Sequence, residues 1–370
     1  MNDFVITATR SMKDYASRVV DQLAKIPRFG EMGESIKGVD LLKADSFADG
    51  EIEVTINKSV RGKDVVVFAS CSRNEAGIPV NEAKTELYHT IDALKRSQVR
   101  EIIVFEPFIS CSRSDRTTRR NSVGLWIHFK LLASLGVKHI ITYQLHSKIS
   151  ESMLDPTICT IDDIPALNLL ERYLCDVYIR DIETLHNEVR PHWAFCSVDA
   201  GGEKQGRDIA NAFGAPLVVA HKQRDYSRLN SVKSVNILSA DPVEDKVLWI
   251  VDDLVDTAGS VEGLIRALKN LRPREINIIA IHALFSPPAA ERLNKLVKEG
   301  LLNRIIVTDS VKTPAFSDII AQVEVVPSAE LSSRVIYTYL TNDSMGKLMD
   351  PFNAENYLKS PGLFSAFWMG

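Results

Sequence analysis

The chain of 370 residues is long enough for two or three domains. A hydrophobic content of 45% and a charged content of 25% are typical of globular proteins and exclude a disordered, collagen-like or coiled-coil chain. The 44 Lys and Arg residues are outnumbered by 48 Asp and Glu residues, giving a net charge of −4, so nucleic acid is not an expected partner. A membrane is not expected either, since no segment approaches the roughly 20 apolar residues of a membrane helix.

Short apolar runs alternate with amphipathic segments along the first half of the chain. Leu87, Ile91 and Leu94 recur at spacings of four and three, which marks one face of a helix. The elements predicted there are strands at 65–68, 102–105 and 140–143 and helices at 82–96 and 123–134.

The second half repeats this alternation. The predicted elements are strands at 194–197, 216–220, 247–251, 275–283 and 304–308 and helices at 203–213, 261–270 and 289–298. Nearly continuous apolar strands separated by helices indicate parallel sheets that are buried on both faces. The strands are too many for one sheet, so we predict two α/β domains with a boundary between residues 155 and 190.

The number and spacing of the cysteines indicate the cellular compartment of the protein. There are five of them, scattered along the chain, and none forms a CxxC pair. Disulfide frameworks and cysteine-based zinc sites use regular or closely spaced cysteines. We therefore expect reduced thiols and a cytoplasmic protein.

The strongest chemical signal is the segment 247–260, in which an apolar strand leads to Asp252 and Asp253 and then to a loop of small residues that opens a helix. In open α/β sheets, ligands bind outside the carboxyl ends of the strands. Gly259 would let the backbone approach a ligand, and the first N–H groups of the helix would form an anion site.

These features predict a cradle for one phosphate at residues 256–260, to which Thr257 and Ser260 add hydroxyl groups. Two carboxylates would not bind that phosphate, but they could accept hydrogen bonds from sugar hydroxyls, directly or through Mg²⁺. A phosphate beside a diol indicates a ribose 5-phosphate unit. The structural alternative is a tight strand–helix turn with capping side chains.

Residues 251–260 resemble the phosphoribosyl-diphosphate binding motif of type I phosphoribosyltransferases. From about residue 4 to residue 349, with insertions, the chain resembles the ribose-phosphate pyrophosphokinase (phosphoribosyl-diphosphate synthetase) family. Further matching motifs lie, in the family's order, at residues 47–51, 59–65, 145–146, 199–202, 222–224 and 283–286. Several motifs in the right order are more specific than any one of them.

The resemblance implies an α/β fold with two phosphoribosyltransferase-type I-like domains, each a mostly parallel sheet flanked by helices. The ATP-side domain would span residues 1–165 and the ribose 5-phosphate-side domain residues 166–330. Residues 331–370 would form a C-terminal helix and an extra tail that packs back on the first domain or on a neighbouring subunit. The reaction would transfer the β,γ-diphosphate of ATP to the 1-hydroxyl of ribose 5-phosphate, giving phosphoribosyl diphosphate and AMP for nucleotide biosynthesis.

The resemblance also implies the site residues. Ribose 5-phosphate would be held by Asp252, Asp253, Asp256, Thr257, Ala258, Gly259 and Ser260. ATP would be held by Phe47, Asp49, Glu51, Arg113 and Asp115. The first three of these come from a neighbouring subunit in the family, which implies a homo-oligomer based on dimers, with a hexamer as one form. His146 and Asp199 would bind Mg²⁺, and His146 would act in catalysis with Lys222 and Arg224 of a flexible loop.

Three departures from the family pattern leave alternatives open. Ser114 stands where the family usually has Gln, Gln144 where many members have Asp, and Gln223 where the family has Arg. A non-catalytic regulatory homologue is therefore one alternative, and a synthetase for another 5-substituted ribose is the other. Taken alone, Phe47 would be predicted in the core and His146 would be a structural histidine.

Overall fold

The computed structural model describes residues 3–26, 29, 39–74, 76–117, 119–199, 201–224, 232–239, 242–312, 314–319 and 322–360. The chain divides into two compact units. The first combines Met1–Pro165 with Ser328–Met349, and the second combines Ala166–Pro327 with the chain from Asp350 onward.

Strands and helices alternate in both units. The strands are β1 (Phe4–Ala8), β2 (Leu42–Ser46), β3 (Ile52–Ile56), β4 (Asp64–Phe68), β5 (Glu101–Phe105), β6 (His139–Tyr143), β7 (Thr160–Ile164), β8 (Trp193–Ser197), β9 (Leu217–Arg224), β10 (Val232–Ser239), β11 (Val247–Val255), β12 (Glu275–Ala283), β13 (Arg304–Thr308) and β14 (Gln322–Val326). The α-helices are α1 (Lys13–Ala24), α2 (Val80–Arg96), α3 (Gly124–Leu135), α4 (Leu167–Leu174), α5 (Ile182–Thr184), α6 (Arg190–His192), α7 (Glu203–Phe213), α8 (Gly259–Leu268), α9 (Ala289–Lys298), α10 (Ala329–Thr341), α11 (Gly346–Met349) and α12 (Ala354–Lys359). Short 3₁₀ and π-helical turns lie at Arg10–Met12, Lys148–Met153, Cys175–Ile179, Leu185–Val189, Lys269–Leu271 and Pro314–Asp318.

The first unit is built on a five-stranded sheet in the order β1-β4-β5-β6-β7, with every neighbouring pair parallel. All five residues of β4 are buried, as expected for a strand covered on both faces. Strands β2 and β3 form a separate antiparallel hairpin. The predicted site residues of this unit lie in the hairpin turn and in the segments that follow β5 and β6.

The second unit contains a seven-stranded sheet in the order β10-β9-β8-β11-β12-β13-β14. Only the edge pair β9–β10 is antiparallel among these described strands, and the other pairs are parallel. Strand β11 lies near the middle, between β8 and β12. The loop that follows β11 therefore opens at the carboxyl edge of the sheet, where ligands of α/β proteins bind.

Helix α10 completes the first unit through a buried cluster of hydroxyl groups. The Tyr15 hydroxyl lies 2.7 Å from Ser328 Oγ and 2.8 Å from Ser332 Oγ, and the Tyr143 hydroxyl lies 2.6 Å from Ser332 Oγ. All four side chains are buried, so each hydroxyl needs such a partner.

The described part of the tail, up to Ser360, belongs to the second unit. Tyr357 donates a hydrogen bond to Asp176 Oδ1 at 2.7 Å, and Glu355 pairs with Arg190 at 2.6 Å. Residues 331–349 belong to the first unit, as expected, whereas the contacts of the tail from residue 350 onward differ from the expectation that it packs on the first domain. Amphipathic pattern alone does not identify the surface that a short helix covers. Residues 361–370 lie outside the described residues.

Every element predicted from the sequence is present, which confirms the α/β class. Helix α10 lies where a C-terminal helix was expected, and the elements that were not predicted are the strands β1, β7, β10 and β14, the β2–β3 hairpin and the helices α1, α4, α5, α6, α11 and α12. The five cysteines are free, in agreement with the expectation of reduced thiols. Along the described chain, no helix has the length and apolar character needed to cross a bilayer.

Candidate active site

The acid pair of the candidate site lies within strand β11 rather than after it. The strand continues to Val255, with Asp252 opposite Ala280 of β12. Both carboxyl side chains are half-buried. Asp252 Oδ1 accepts a hydrogen bond from the Asp253 N–H at 3.1 Å, and Asp253 Oδ1 accepts one from the Leu254 N–H at 2.9 Å. Two carboxylates are thus fixed at the carboxyl end of a central strand.

The turn at residues 256–260 connects this strand to helix α8. Ala258 has a φ of 57°, a left-handed conformation that is unusual for a residue with a side chain, and its carbonyl accepts from the Glu262 N–H at 2.8 Å. Helix α8 begins at Gly259, and the first N–H groups of a helix have no partner within it. Thr257 and Ser260 are exposed. The turn therefore offers backbone donors, two hydroxyls and the positive end of the helix dipole to an anion.

The candidate ATP residues of the hairpin lie in the turn between β2 and β3. The Phe47 N–H donates to the Glu51 carbonyl at 2.8 Å, and Asp49 Oδ1 accepts from the Glu51 N–H at 3.1 Å. The Phe47 side chain is 52% exposed, so the prediction that it belongs to the core, made from its residue type alone, is wrong. The turn presents an aromatic face and two carboxylates to the surface.

The other two candidate ATP residues lie in the segment that follows β5. Arg113 is exposed and Asp115 is half-buried. Between them, Ser114 Oγ accepts a hydrogen bond from the Gly124 N–H at 3.0 Å, at the first residue of α3. The Ser114 hydroxyl, at the position where the family has Gln, is thus hydrogen-bonded within its own chain.

His146 follows strand β6 and is exposed. The backbone just before it is held by Asp163 of β7, whose Oδ1 accepts from the Leu145 N–H at 2.8 Å. Burial raises the pKa of Asp163 to about 6, against a smaller opposing effect of that hydrogen bond. The sequence reasoning missed Asp163, because the polar and partly exposed pattern of β7 did not identify a strand there.

Asp199 follows β8 at the start of helix α7. Its Oδ1 accepts hydrogen bonds from the N–H groups of Gly201 and Gly202 at 2.9 and 3.2 Å. The carboxylate is therefore held in a fixed orientation by the two glycines of the motif. The same hydrogen bonds are those of an ordinary Asx turn, so the geometry agrees with both the functional and the structural interpretation.

Lys222 and Arg224 lie at the end of strand β9, whose backbone pairs with β10. The sequence expectation placed them on a flexible loop. Their side chains, together with residues 225–231, lie outside the described part of the protein.

The described residues contain few groups that could bind a metal ion together. Within the described residues, no group of three or more His, Cys, Asp or Glu side chains is placed to hold a metal ion. Two histidines outside the candidate site have structural partners: His128 Nε2 lies 2.6 Å from Glu106, and His282 Nδ1 lies 2.8 Å from Ser310.

The sequence reasoning also missed Arg292. This side chain of α9 donates from Nη1 to the Thr257 carbonyl at 2.9 Å. It thus contacts the turn between β11 and α8 from the next helix along the chain. No sequence motif signalled this contact, because it joins residues 35 positions apart.

Comparison with known proteins decides the family. Residues 4–136 match the model described as the N-terminal domain of ribose phosphate pyrophosphokinase, and residues 180–312 match the phosphoribosyl transferase domain. A ribose-phosphate pyrophosphokinase of Aquifex aeolicus is 33% identical over 304 residues, which are 82% of this chain and 89% of that protein. The chain belongs to the ribose-phosphate pyrophosphokinase family. A family member from Mycoplasma pneumoniae is 29% identical over 348 residues, covering 94% of this chain and 95% of its own.

A solved structure of the family has the same fold. Phosphoribosylpyrophosphate synthetase from Mycobacterium smegmatis matches with a TM-score of 0.75 and 25% sequence identity, over 92% of this chain and 99% of that chain. The predicted resemblance and the predicted fold of two phosphoribosyltransferase-type domains are both confirmed. The roles of individual residues are not tested by these comparisons and remain predictions.

Proposed function

We propose that the protein is a ribose-phosphate diphosphokinase. The observation that carries this proposal is the segment from Asp252 to Ser260, where two oriented carboxylates precede a turn that exposes hydroxyls and the start of a helix. Membership of the family supplies the reaction: the β,γ-diphosphate of ATP moves to the 1-hydroxyl of ribose 5-phosphate. A cytoplasmic role in nucleotide biosynthesis is part of the proposal.

The reaction makes one bond and breaks one. The 1-hydroxyl oxygen attacks the β-phosphorus of ATP, the bond from that phosphorus to the bridging oxygen of the α-phosphate breaks, and AMP leaves. The hydroxyl proton is released in the course of the attack. Such transfers depend mainly on positioning and on the neutralisation of charge, so the protein needs no covalent nucleophile.

The turn at 256–260 would hold the 5-phosphate of the sugar. Its contributors are the Thr257 and Ser260 hydroxyls and the backbone from Ala258 to Gly259, with Asp256 at its start. Asp252 and Asp253 would accept hydrogen bonds from the ribose hydroxyls. We assign the acid pair to the sugar hydroxyls and the turn to the phosphate on the basis of charge, because a carboxylate repels a phosphate and binds a hydroxyl donor.

The ATP ligands would be Arg113 and Asp115, with Phe47, Asp49 and Glu51. An exposed aromatic ring such as that of Phe47 can stack on the adenine base, and Arg113 can neutralise phosphate charge. In the family the hairpin turn acts on the neighbouring subunit, so we propose a homo-oligomer. Lys222 and Arg224 would offset the negative charge that develops on the transferred diphosphate.

We propose Mg²⁺ as the cofactor, with Asp199 and His146 as the protein ligands. The Asp199 carboxylate fits this ion, because Mg²⁺ is usually held by one or two carboxylates, waters and substrate phosphates. An imidazole is a less usual ligand of Mg²⁺, so the role of His146 rests on the resemblance to the family. The glycine N–H groups on Asp199 Oδ1 fix the orientation of that carboxylate. When bound with ATP, the ion supplies neutralisation of phosphate charge.

The test is AMP release by the purified full chain with ATP, Mg²⁺ and ribose 5-phosphate, with inorganic phosphate varied and the sugar omitted as control. We expect AMP to form only when the sugar is present. Folded protein that releases no AMP in the presence of the sugar would contradict the proposal.

A second candidate is a regulatory homologue without catalysis of its own. The observation that favours it is Ser114, whose hydroxyl is engaged at the start of α3 where the family has a longer Gln side chain. The substitutions at Gln144 and Gln223 point the same way. Such a protein would release no AMP alone but would change the rate of an active synthetase added to it. Use of another 5-substituted ribose would instead appear as AMP release with that sugar only.

A further inference from the structure

Arg292 connects two neighbouring strand–helix units of the second sheet. It lies in the first turn of α9, where its own N–H donates to the Pro288 carbonyl at 3.1 Å. Its side chain crosses to the turn before α8, where Nη1 donates to the Thr257 carbonyl at 2.9 Å. Arg292 Nε lies 3.6 Å from Glu262 Oε2, so a carboxylate of α8 holds the other side of the guanidinium.

The guanidinium also lies directly over Gly259. A Cβ added to Gly259 would lie 2.7 Å from Arg292 Nη1 and 3.5 Å from Cζ. Real Cβ atoms essentially never approach another heavy atom within 3.0 Å, so Arg292 would have to move. A side chain at position 259 would therefore displace the end of the Arg292 side chain.

The contact constrains a strained part of the turn. Ala258 has a left-handed φ of 57°, and such a conformation persists only where the surroundings enforce it. The peptide between Thr257 and Ala258 is planar and trans, so its N–H points away from its C=O. By holding the Thr257 carbonyl, Arg292 fixes the direction of the Ala258 N–H, away from the guanidinium.

We propose that Arg292 is a positioning residue for sugar-phosphate binding: it holds the turn from Thr257 to Gly259 in its phosphate-binding conformation. The proposal rests on the proposed binding of ribose 5-phosphate at this turn. The cationic guanidinium also adds favourable potential for an anion at the start of α8, beyond that of the helix dipole. Loss of Arg292 would weaken binding of the sugar phosphate and leave ATP binding unchanged.

A second ion pair provides a matched control. Arg266 of α8 pairs with Glu299, next to the end of α9, through Nη1 and Oε2 at 2.6 Å. It joins the same two helices as Arg292 without contacting the turn, although it shares Glu262 with Arg292, since Arg266 Nη2 lies 3.1 Å from Glu262 Oε1. If Arg292 only joined helices, replacing Arg266 would have a similar effect.

The experiment compares Arg292→Ala, Arg292→Lys and Arg266→Ala with the wild type. We measure the Kd of ribose 5-phosphate by calorimetry and the KM values of both substrates, after thermal unfolding has shown that each variant is folded. Arg292→Ala should raise the Kd and KM of the sugar about 10- to 100-fold, as expected for loss of a charge-assisted hydrogen bond. The KM of ATP should stay within about twofold. Arg292→Lys should show a smaller increase, and Arg266→Ala should behave as the wild type.

Gly259→Ala provides an independent test. Alone it should displace the guanidinium and weaken sugar-phosphate binding as Arg292→Ala does. In the Arg292→Ala background it should cause a smaller loss than it causes alone, because the conflicting atoms have gone and only the direct approach of the ligand to Gly259 is affected. Losses that multiply in full would show that Gly259 and Arg292 are not coupled and would overturn the proposal.

Three further outcomes separate this proposal from the proposed function. If the wild type binds ribose 5-phosphate but releases no AMP, the proposed function fails, and the Kd values still decide the role of Arg292. If Arg292→Ala leaves that Kd unchanged, raises the KM of both substrates equally, or behaves like Arg266→Ala, Arg292 has no positioning role. A wild type that binds no ribose 5-phosphate would overturn both proposals.

Discussion

The adjacent carboxylates Asp252 and Asp253 are the residues on which the sugar assignment depends most. Each accepts a backbone hydrogen bond through Oδ1, so both are oriented before any ligand binds. Replacing both with Asn keeps their size but removes two charged acceptors for sugar hydroxyls. We expect the KM of ribose 5-phosphate to rise about 10- to 100-fold, which corresponds to the loss of one or two such hydrogen bonds.

Steady-state rates with each substrate varied in turn check this prediction. Asp92→Asn is a suitable control, because Asp92 forms an exposed ion pair with Arg96 on α2, away from the candidate residues. An unchanged KM for the sugar, or an equal rise in the KM of ATP, would argue against the assignment.

Single residues also show what the sequence could and could not reveal. The strand, the acid pair and the small-residue turn were all visible between residues 247 and 260, because they are consecutive. The exposure of Phe47 and the contact of Arg292 with Thr257 were not visible, since they depend on a hairpin and on a neighbouring helix. The extension of β11 through the acid pair was missed because charged residues interrupt its apolar run.

At the scale of elements, α4 and α7 bring two carboxyl side chains of the second unit close together. Glu171 of α4 is only 2% exposed, and its pKa is raised to about 8, first by burial and then by the charge of Asp208 on α7. The folded protein therefore keeps this proton at pH values where the unfolded chain has lost it. Its contribution to stability is present at low pH and is lost as the pH rises toward 8.

Glu171→Gln removes this titration while keeping the shape of the side chain. As the pH rises toward 8, the free energy of unfolding of the wild type should fall relative to that of the variant, by up to about 1.4 kcal/mol per pH unit. Urea unfolding at pH 6, 7, 8 and 9 measures the difference. Glu188→Gln, at an exposed position of the same unit, should follow the wild type. If the free energy of unfolding changed with pH in the same way for Glu171→Gln and the wild type, the prediction would be wrong.

The accuracy of the element predictions mostly followed burial, with the exception of β1, which is buried at all five residues but was not predicted. Strands such as β4 and β12, which are nearly continuous in apolar residues, were found within one or two residues of their ends. The missed strands β2, β3 and β7 include polar and partly exposed residues, so their patterns resemble those of loops. The partner of the tail could not be predicted, because it depends on which surface of the second unit remains uncovered.

At the scale of the whole molecule, the exposed hairpin turn predicts a site shared between copies of the chain. We expect Phe47→Ala and Lys222→Ala each to lower activity, the first through ATP binding and the second through kcat. If the turn acts on a neighbouring subunit, mixed oligomers of the two variants contain some sites with neither substitution. Mixing the variants under conditions that allow subunit exchange should therefore restore part of the activity.

Light scattering after size-exclusion chromatography would establish in parallel that each variant assembles as the wild type does. A mixture no more active than the two variants measured separately, despite exchange, would place the hairpin in the site of its own chain.

Transfer of an intact diphosphate to the sugar is the central claim, and phosphorus NMR of the reaction of ATP, Mg²⁺ and ribose 5-phosphate tests it most directly. We expect equal amounts of AMP and of a sugar that carries a diphosphate ester on C1 and retains its 5-phosphate. Lys222→Ala, shown to be folded, should give the same products more slowly. Formation of ADP with a singly phosphorylated C1, or of AMP with free diphosphate from the outset, would contradict the account.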